Sequence, residues 1–144
     1  MTQAWTPGSA GDAAVPIAIK RVYERRARTD GYRVLIDRLW PRGLTRADAA
    51  IDLWLKEIAP STPLRRWFGH DAARWREFRA RYSRELEGRE ECLRSLVERA
   101  RCHRVTLVYG SREQRFNHAA VLRDYLEKLF SLSRPRKGRA GDGS

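Results

Sequence analysis

Three short β-rich runs constrain this chain of 144 residues more than any other feature. YRVLID at residues 32–37 has a continuous apolar centre, which predicts a strand buried on both faces. VTLVYG at residues 105–110 closes on a glycine, and IAIKRVY occupies residues 17–23. Segments with helical periodicity lie between YRVLID and VTLVYG, and another follows VTLVYG. Strands interleaved with helices predict an α/β fold, with a small, mostly parallel sheet flanked by helices in one compact domain.

Four segments have the spacing of amphipathic helices. The first begins at Thr45, which with Asp48 resembles a capping box, and Pro60 and Pro63 end it. Its apolar face repeats at i, i+3, i+4 and i+7, on Ile51, Trp54, Leu55 and Ile58.

Three further helices are predicted downstream. Asp71 is a suitable N-cap for the second, Gly88 precedes the third, and Asn117 caps the last. Their apolar faces are Trp75, Phe78, Tyr82 and Leu86, then Leu93, Leu96, Val97 and Ala100, then Val121, Leu122, Tyr125, Leu126 and Leu129.

The length favours one domain with a single sizeable core. We predict a flexible N-terminal lead at residues 1–16, an α/β domain at 17–133 and a flexible basic tail at 134–144. No apolar run approaches the roughly 18 residues of a membrane span, and the N-terminus lacks the pattern of a signal peptide. We therefore expect a cytoplasmic protein with no membrane partner, whose cysteines, Cys92 and Cys102, are reduced.

The chain is strongly basic, with 30 Lys and Arg against 18 Asp and Glu and a formal net charge of +12. A positive field of this size attracts polyanions and phosphate-bearing ligands. The alternative is that the arginines lie on solvated helix faces and bind nothing specific. Charge alone does not separate the two interpretations.

Polar residues follow two of the predicted strands where each strand ends. The first segment is DRLWPRG at residues 37–43, and the second is YGSRE at 109–113, which leads to Asn117 and His118. Ligands of parallel sheets usually lie beyond the carboxyl ends of strands, against helix N-termini. If the two strands are parallel neighbours, both segments line one shared pocket.

We predict that this pocket binds an anion. Arginines suit phosphate or carboxylate oxygens, and the unpaired backbone N–H groups at a helix start favour negative charge. The candidate ligand-binding residues are Arg38, Trp40, Arg42, Tyr109, Ser111, Arg112 and Asn117. His118 and Asp37 are the candidate catalytic residues, because histidine is the most capable proton carrier near neutral pH.

These residues also have purely structural interpretations. Asp37 can form a strand-end salt bridge with a neighbouring arginine, and Asn117 can be a plain N-cap. Trp40, beside Pro41, is more often a packing lid than a stacking platform, and His118 can be a hydrogen-bonded residue in the first turn of a helix. The functional interpretation therefore rests on the set taken together.

The stretch LRRWFGHDAARWREFRARY at residues 64–82 alternates basic and aromatic residues. Such interleaving can grip phosphates and stack on bases. Helical spacing instead assigns Trp75, Phe78 and Tyr82 to a buried face, and we favour that interpretation. His70 is interpreted as a local capping residue in the turn.

No metal or cofactor is predicted. The three histidines lack H-E-x-x-H or His/Cys ligand spacing, and neither a G-x-G-x-x-G nor a P-loop motif is present. Dinucleotide binding and NTP hydrolysis are correspondingly disfavoured.

With these residues in view, the chain resembles the family of domain of unknown function 488, specifically its short, YeaO-like branch. The resemblance covers about residues 17–130. It lies in DGYRVLIDRLWPRGL, DLWLKEIAPS, LRRWFGHDAARWREFRARYSREL, and VTLVYGSRE followed by NHAAVL. It implies a compact α/β fold and no defined reaction.

The resemblance also bears on the site. Longer members of the family carry D-V-R…P-R after an early strand, and this chain matches the arginine-to-proline spacing from Arg38. They carry C-x-E…C-H-R after a late strand, where Tyr109 and Asn117 replace the two thiols and His118 is retained. The departure argues against cysteine nucleophilic or thiolate-metal chemistry in this chain.

Three functional hypotheses remain. The leading one is binding of a phosphate-bearing ligand, a nucleotide or nucleic-acid segment, in the arginine-rich pocket. The first alternative is a hydrolase or transferase that uses His118 and Asp37 as acid and base. The second is a nucleic-acid or protein interaction module that acts through its basic surface. The sequence indicates no oligomeric state.

Overall fold

Four parallel strands form the sheet of the computed structural model, which describes residues 16–132. They are β1 (Ile17–Arg21), β2 (Tyr32–Leu35), β3 (Leu53–Trp54) and β4 (Val105–Tyr109). The α-helices of the described part are α1 (Arg46–Ala49), α2 (Thr62–Phe68), α3 (Trp75–Glu87), α4 (Glu90–Ala100) and α5 (His118–Leu132). Single 3-10 turns cover Arg28–Asp30, Lys56–Ile58 and Ala72–Arg74. The predicted lead, apart from Pro16, and the predicted tail lie outside the described residues.

The strand order is β1-β4-β2-β3. Val105 aligns with Ile17 of β1 on one side and with Tyr32 of β2 on the other, so β4 is central. The three strands expected from the sequence are present with shorter bounds, and the predicted α/β fold is confirmed. Because β2 and β4 are parallel neighbours, their carboxyl ends reach the same edge of the sheet.

The side chains of β4 alternate between two apolar clusters. Leu107 joins the main core, on the face that α3, α4 and α5 cover, whereas Val108 joins a smaller cluster with Val22 and Ala49 on the other face. The predicted faces of the last three helices are confirmed by burial of Phe78, Tyr82, Leu86, Leu93, Leu96, Val97, Ala100, Val121, Leu122 and Leu126. Trp75, Tyr125 and Leu129 pack half-buried against the same core.

The helix predicted from Thr45 to Ile58 is wrong beyond its first turn. Thr45 does cap α1, because its side chain accepts a hydrogen bond from the Asp48 amide. The helix then stops, since Ala50 adopts a left-handed φ of 50°. Strand β3 pairs with β2 immediately afterwards, and a 3-10 turn follows. Completion of the sheet edge therefore overrides a local spacing that favours a helix.

Helix α2 has no counterpart in the sequence prediction, which placed Pro63 at a helix end. Ser61 is the N-cap of α2, and its hydroxyl accepts a hydrogen bond from the Leu64 amide. Pro63 lies in the first turn, where a missing N–H costs no intrahelical hydrogen bond. The helix ends at Gly69, and both Gly69 and His70 have left-handed φ values, 52° and 58°. The chain therefore reverses sharply between α2 and α3.

A buried ion cluster ties β1 to β2. Arg33 is only 1% exposed, and its guanidinium donates to Asp30 at 2.7 Å and to the two carbonyls at the end of α1 at 2.8 and 2.9 Å. Lys20 also pairs with Asp30, at 3.0 Å. Burial raises the pKa of Asp30, but the Ala27 amide and the two cations outweigh burial, so the pKa is lowered overall.

Candidate functional site

The loops after β2 and β4 meet at the carboxyl edge of the sheet. Asp37 Oδ2 accepts a 2.8 Å hydrogen bond from the backbone N–H of Gly110, which lies 73 residues further along the chain. The contact forms because β2 and β4 are hydrogen-bonded neighbours whose ends point the same way. The two polar segments singled out in the sequence therefore lie side by side.

Asp37 and His118 are in direct contact. Asp37 Oδ1 lies 2.9 Å from His118 Nε2, and the Ile36 carbonyl oxygen lies 3.2 Å from the same nitrogen. The Asp37 contact does not have the geometry of a hydrogen bond, and it is an ion pair only when His118 is protonated. Because a backbone carbonyl can only accept, Nε2 carries a hydrogen, and Nδ1 is the nitrogen at which a proton can be gained or lost.

A cavity of about 320 Å³ opens at this edge. Five of the predicted site residues line it, namely Asp37, Arg38, Ser111, Asn117 and His118. The rest of the wall comes from the chain around α2 and from α3, namely Ala59, Pro60, Arg65, Phe68, His70 and Phe78. The cavity thus has two guanidinium groups and two imidazoles against one carboxylate, with an apolar wall beside them.

Arg38 is held in place by backbone carbonyls. One of its terminal nitrogens donates to the carbonyl oxygens of Ala59 and Pro60, at 3.2 and 3.3 Å. Its Nε is buried and has no hydrogen-bond partner among residues 16–132. The expected salt bridge between Asp37 and a neighbouring arginine is absent from this described part, because Asp37 contacts Gly110 and His118 instead.

His70 lies on the rim of the cavity and is not the cap of the next element. The capping role belongs to Asp71, whose carboxylate accepts a 3.0 Å hydrogen bond from the Ala73 amide and starts the turn that leads into α3. Glu113 is close enough to His70 for the two side chains to interact electrostatically. The amides of Phe116 and then Arg115 lower the pKa of Glu113, with a smaller contribution from His70.

Asn117 is the N-cap of α5. Its side-chain oxygen accepts a 3.1 Å hydrogen bond from the Ala120 amide, and its side-chain nitrogen donates to the Glu113 carbonyl at 2.8 Å. Ser111 also shapes the loop, because its hydroxyl accepts from the Glu113 amide and its carbonyl accepts from Arg21. Both side chains line the cavity, and both hold its wall in shape.

Four predicted binding residues do not line the cavity. Trp40 packs beside the smaller apolar cluster, with its indole N–H donating to the Leu44 carbonyl at 2.7 Å and its ring against Trp54. Arg42 is exposed, and its carbonyl accepts from a tyrosine hydroxyl. Arg112 is exposed and Tyr109 is buried. The arginine that completes the cavity is Arg65 instead.

A comparison with family models matches residues 16–140 to the inactive DUF488-N3 subclade. The chain belongs to the DUF488 family. It is 43% identical over 113 residues to the uncharacterized protein YeaO of Escherichia coli K12, which covers 78% of this chain and 98% of YeaO. It is also 40% identical over 112 residues to the uncharacterized protein Rv3073c of Mycobacterium tuberculosis, covering 76% of this chain and 92% of that protein. No solved structure gives a significant match.

In this DUF488 protein, the residues at the two thiol positions lie against one another. The Asn117 side chain lies close enough to the Tyr109 hydroxyl to influence its pKa. Burial raises the pKa of Tyr109, with a further increase from Glu24, and this outweighs the opposing effect of Asn117 and Arg21. The pair supplies a buried hydroxyl and an amide where longer members of the family carry sulfur.

Sequence reasoning missed Arg65, His70, Phe68 and Phe78 as cavity residues. The alternation of basic and aromatic residues at 64–82 marks the part of the chain that closes the cavity. No sequence cue predicts the turn between α2 and α3. This turn brings His70 into the same cavity wall as residues of the loops after β2 and β4.

Within residues 16–132, no three or more His, Cys, Asp or Glu side chains are grouped so as to hold a metal ion. Over the same residues, no helix has the length and apolar character needed to cross a membrane. Cys92 and Cys102 are free thiols.

Proposed function

We propose that this DUF488 protein binds a phosphate-bearing ligand in the cavity at the carboxyl edge of its sheet. Arg38 carries the argument. It lines the cavity, its contacts are neutral backbone carbonyls, and its buried Nε–H has no acceptor in the described chain. Both of these hydrogen bonds use the same terminal nitrogen of Arg38, so its other terminal nitrogen is left to donate to the oxygens of a phosphate.

The charge around the cavity supports an anionic ligand. Arg65 adds a second guanidinium to the wall, and neither arginine has an ion-pair partner within residues 16–132. The one carboxylate of the wall, Asp37, contacts Gly110 and His118. Two like charges beside one small cavity repel each other, and an anion between them relieves the repulsion.

Binding without turnover is the form of the proposal that the family match favours, since the matching subclade is described as inactive. The same cavity also offers a second candidate function. The 2.9 Å contact between Asp37 and His118 resembles the arrangement in which a carboxylate orients an imidazole for general acid or base catalysis. A hydrolase or transferase reaction would then use the Nδ1 atom of His118.

Calorimetric titration at low ionic strength tests the binding proposal, with inorganic phosphate and adenosine monophosphate as probes. Arg65→Ala is the informative variant because Arg65 is exposed on α2 and lines the cavity. Arg66→Ala is its matched control, since Arg66 is exposed on the same helix and does not line the cavity. We expect saturable binding that Arg65→Ala weakens about tenfold and Arg66→Ala changes less than about twofold.

Three results would count against the proposal. Absence of saturable binding would contradict the proposal. Equal weakening by Arg65→Ala and Arg66→Ala would indicate binding through the general basic surface instead. The latter would also show a steep dependence on salt. Hydrolysis of a phosphate monoester that is lost in His118→Gln and Asp37→Asn would establish the catalytic candidate instead.

A further inference from the structure

We infer that the ligand joins its anionic group to a planar aromatic ring, so that this site takes a small aromatic phosphate monoester of the size of a mononucleotide. The inference rests on the proposed function and specifies the class of ligand. It is carried by the size of the cavity, by the presence of both charged and apolar residues in its wall, and by the position of the His70 ring.

The cavity is too large for an oxyanion alone. Its volume of about 320 Å³ lies at the lower end of the range for sites that hold organic small molecules, about 300–1,000 Å³. A single phosphate bound between the two arginines leaves most of this space to be filled by the rest of the ligand. The space also has walls on several sides, as a small molecule requires.

The apolar wall identifies the chemistry of that remainder. Ala59, Pro60, Phe68 and Phe78 form the apolar part of the cavity wall, next to the charged groups. Phe68 and Phe78 are stacked with their ring centroids 4.2 Å apart, and both are almost fully buried, so this wall is rigid. An apolar group placed against this wall would be removed from water without leaving a polar atom unpaired.

His70 supplies the ring surface. It lies on the cavity rim, is exposed, and its imidazole sits 5.7 Å from the Phe68 ring at an angle of 59°. The left-handed φ of 58° at His70 places this residue in the turn between α2 and α3 and not within either helix. Imidazole and phenyl rings are platforms on which planar rings stack. A planar ring entering the cavity beside Phe68 would therefore lie against His70.

Four probes with the same anionic group test the inference: inorganic phosphate, methyl phosphate, cyclohexyl phosphate and phenyl phosphate. All four probes carry the same anionic group, so a change of charge at His70 affects them alike and the comparison between probes reports stacking. We expect phenyl phosphate to bind about tenfold more tightly than methyl phosphate. We also expect it to bind several-fold more tightly than cyclohexyl phosphate, which is apolar but not planar.

His70→Asn removes the ring and keeps a residue that tolerates a left-handed conformation. It should weaken phenyl phosphate about fivefold and leave methyl phosphate within about twofold. His103→Asn is the matched control, because His103 is also exposed but lies at the opposite end of β4, away from the cavity. It should change neither affinity.

The outcomes separate this inference from the proposed function. Equal affinity for methyl and phenyl phosphate would overturn the aromatic ligand and leave anion binding intact. Equal affinity for cyclohexyl and phenyl phosphate, or a His70→Asn variant that binds phenyl phosphate normally, would overturn the planar ring at His70. If no probe binds, both the proposed function and this inference are wrong.

Discussion

Asp37 and Gly110 join the two loops of the site through a single hydrogen bond of 2.8 Å, from the glycine N–H to one carboxylate oxygen. The other oxygen of Asp37 contacts His118 at 2.9 Å. One side chain therefore connects the end of β2, the end of β4 and the start of α5. Asp37 is engaged by these contacts and forms no ion pair with either arginine of the cavity, Arg38 or Arg65.

Gly110→Ala should disturb this connection. A Cβ atom at residue 110 would lie 3.2 Å from Asp37 Oδ2, closer than ordinary van der Waals contact. We expect a loss of about 1 kcal/mol in the free energy of unfolding and weaker phosphate binding, because Asp37 must move. Urea unfolding and calorimetry measure the two effects.

Gly88→Ala is the matched control for that variant. A Cβ atom at residue 88 would meet its nearest neighbour at 3.6 Å, which is ordinary contact, and the φ there is −85°. Its stability should change by less than about 0.5 kcal/mol, and its phosphate affinity should be unchanged. A Gly110→Ala protein that behaves like Gly88→Ala would show that the two loops do not need their close approach.

Asp30→Asn should destabilise the protein in a manner that depends on pH. At neutral pH the substitution leaves the buried charge of Arg33 without its carboxylate, and we expect a loss of about 3 kcal/mol in the free energy of unfolding. The pKa of Asp30 is lowered in the folded state. Its stabilising effect is therefore present above the ordinary value of 3.8 and is lost as the pH falls through the lowered pKa.

Urea unfolding of the wild-type and Asp30→Asn proteins at neutral and strongly acid pH measures this effect. The difference in the free energy of unfolding between the wild-type and Asp30→Asn proteins should be smaller at acid pH than at neutral pH. Glu77→Gln is the control, because its ion pair with Arg81 is exposed and should contribute less than about 0.5 kcal/mol. A difference that persists unchanged in acid would mean that Asp30 does not act through its charge.

Tyr82→Phe should weaken the protein at neutral pH and protect it in alkali. The buried Tyr82 hydroxyl donates a 2.6 Å hydrogen bond to the Ile58 carbonyl, so its removal should cost about 1–2 kcal/mol. Burial also raises the pKa of Tyr82 well above 10.0. The folded state therefore holds a proton that the unfolded chain releases, and stability falls as the pH rises above about 10. Unfolding monitored against pH should show a smaller alkaline loss for Tyr82→Phe than for the wild type.

Trp40→Phe should affect stability and not ligand binding. The indole N–H of Trp40 donates to the Leu44 carbonyl, and its ring packs 5.4 Å from Trp54. Loss of the hydrogen bond should cost about 1 kcal/mol, with phosphate affinity within about twofold of the wild type. Thermal unfolding and calorimetry check both. Impaired binding at unchanged stability would restore the stacking role that the sequence suggested for Trp40.

The elements that could be predicted from the sequence are those whose pattern is set by one dominant contact surface. Strand β4 and helices α3, α4 and α5 bury continuous apolar faces, and their periodicity survives in the fold. The helix predicted after Thr45 is wrong because Leu53 and Trp54 pair with β2. The apolar residues from Ile51 to Ile58 have a spacing that fits a helix equally well. Only the open edge of the sheet, which is a tertiary feature, decides between the two.

The same distinction applies to the site. Asp37, Ser111 and His118 could be placed together because the direction of parallel strands determines where their ends lie. Arg65 could not, because it lies on α2, which the sequence did not predict. His70 could not, because it reaches the cavity through the left-handed turn at Gly69 and His70. Whether Trp40 faces the cavity or the apolar cluster depends on how the loop at residues 37–43 folds back, and its composition does not indicate this.

The order of the strands also has a consequence for synthesis on the ribosome. Of the four strands within residues 16–132, β4 is made last, yet it separates β1 from β2 and hydrogen-bonds to both. When only β1, β2 and β3 have emerged from the ribosome, β1 has no strand to pair with, and the sheet cannot assemble. The protein must therefore complete its sheet after β4 has left the exit tunnel, and its early segments must avoid premature association until then.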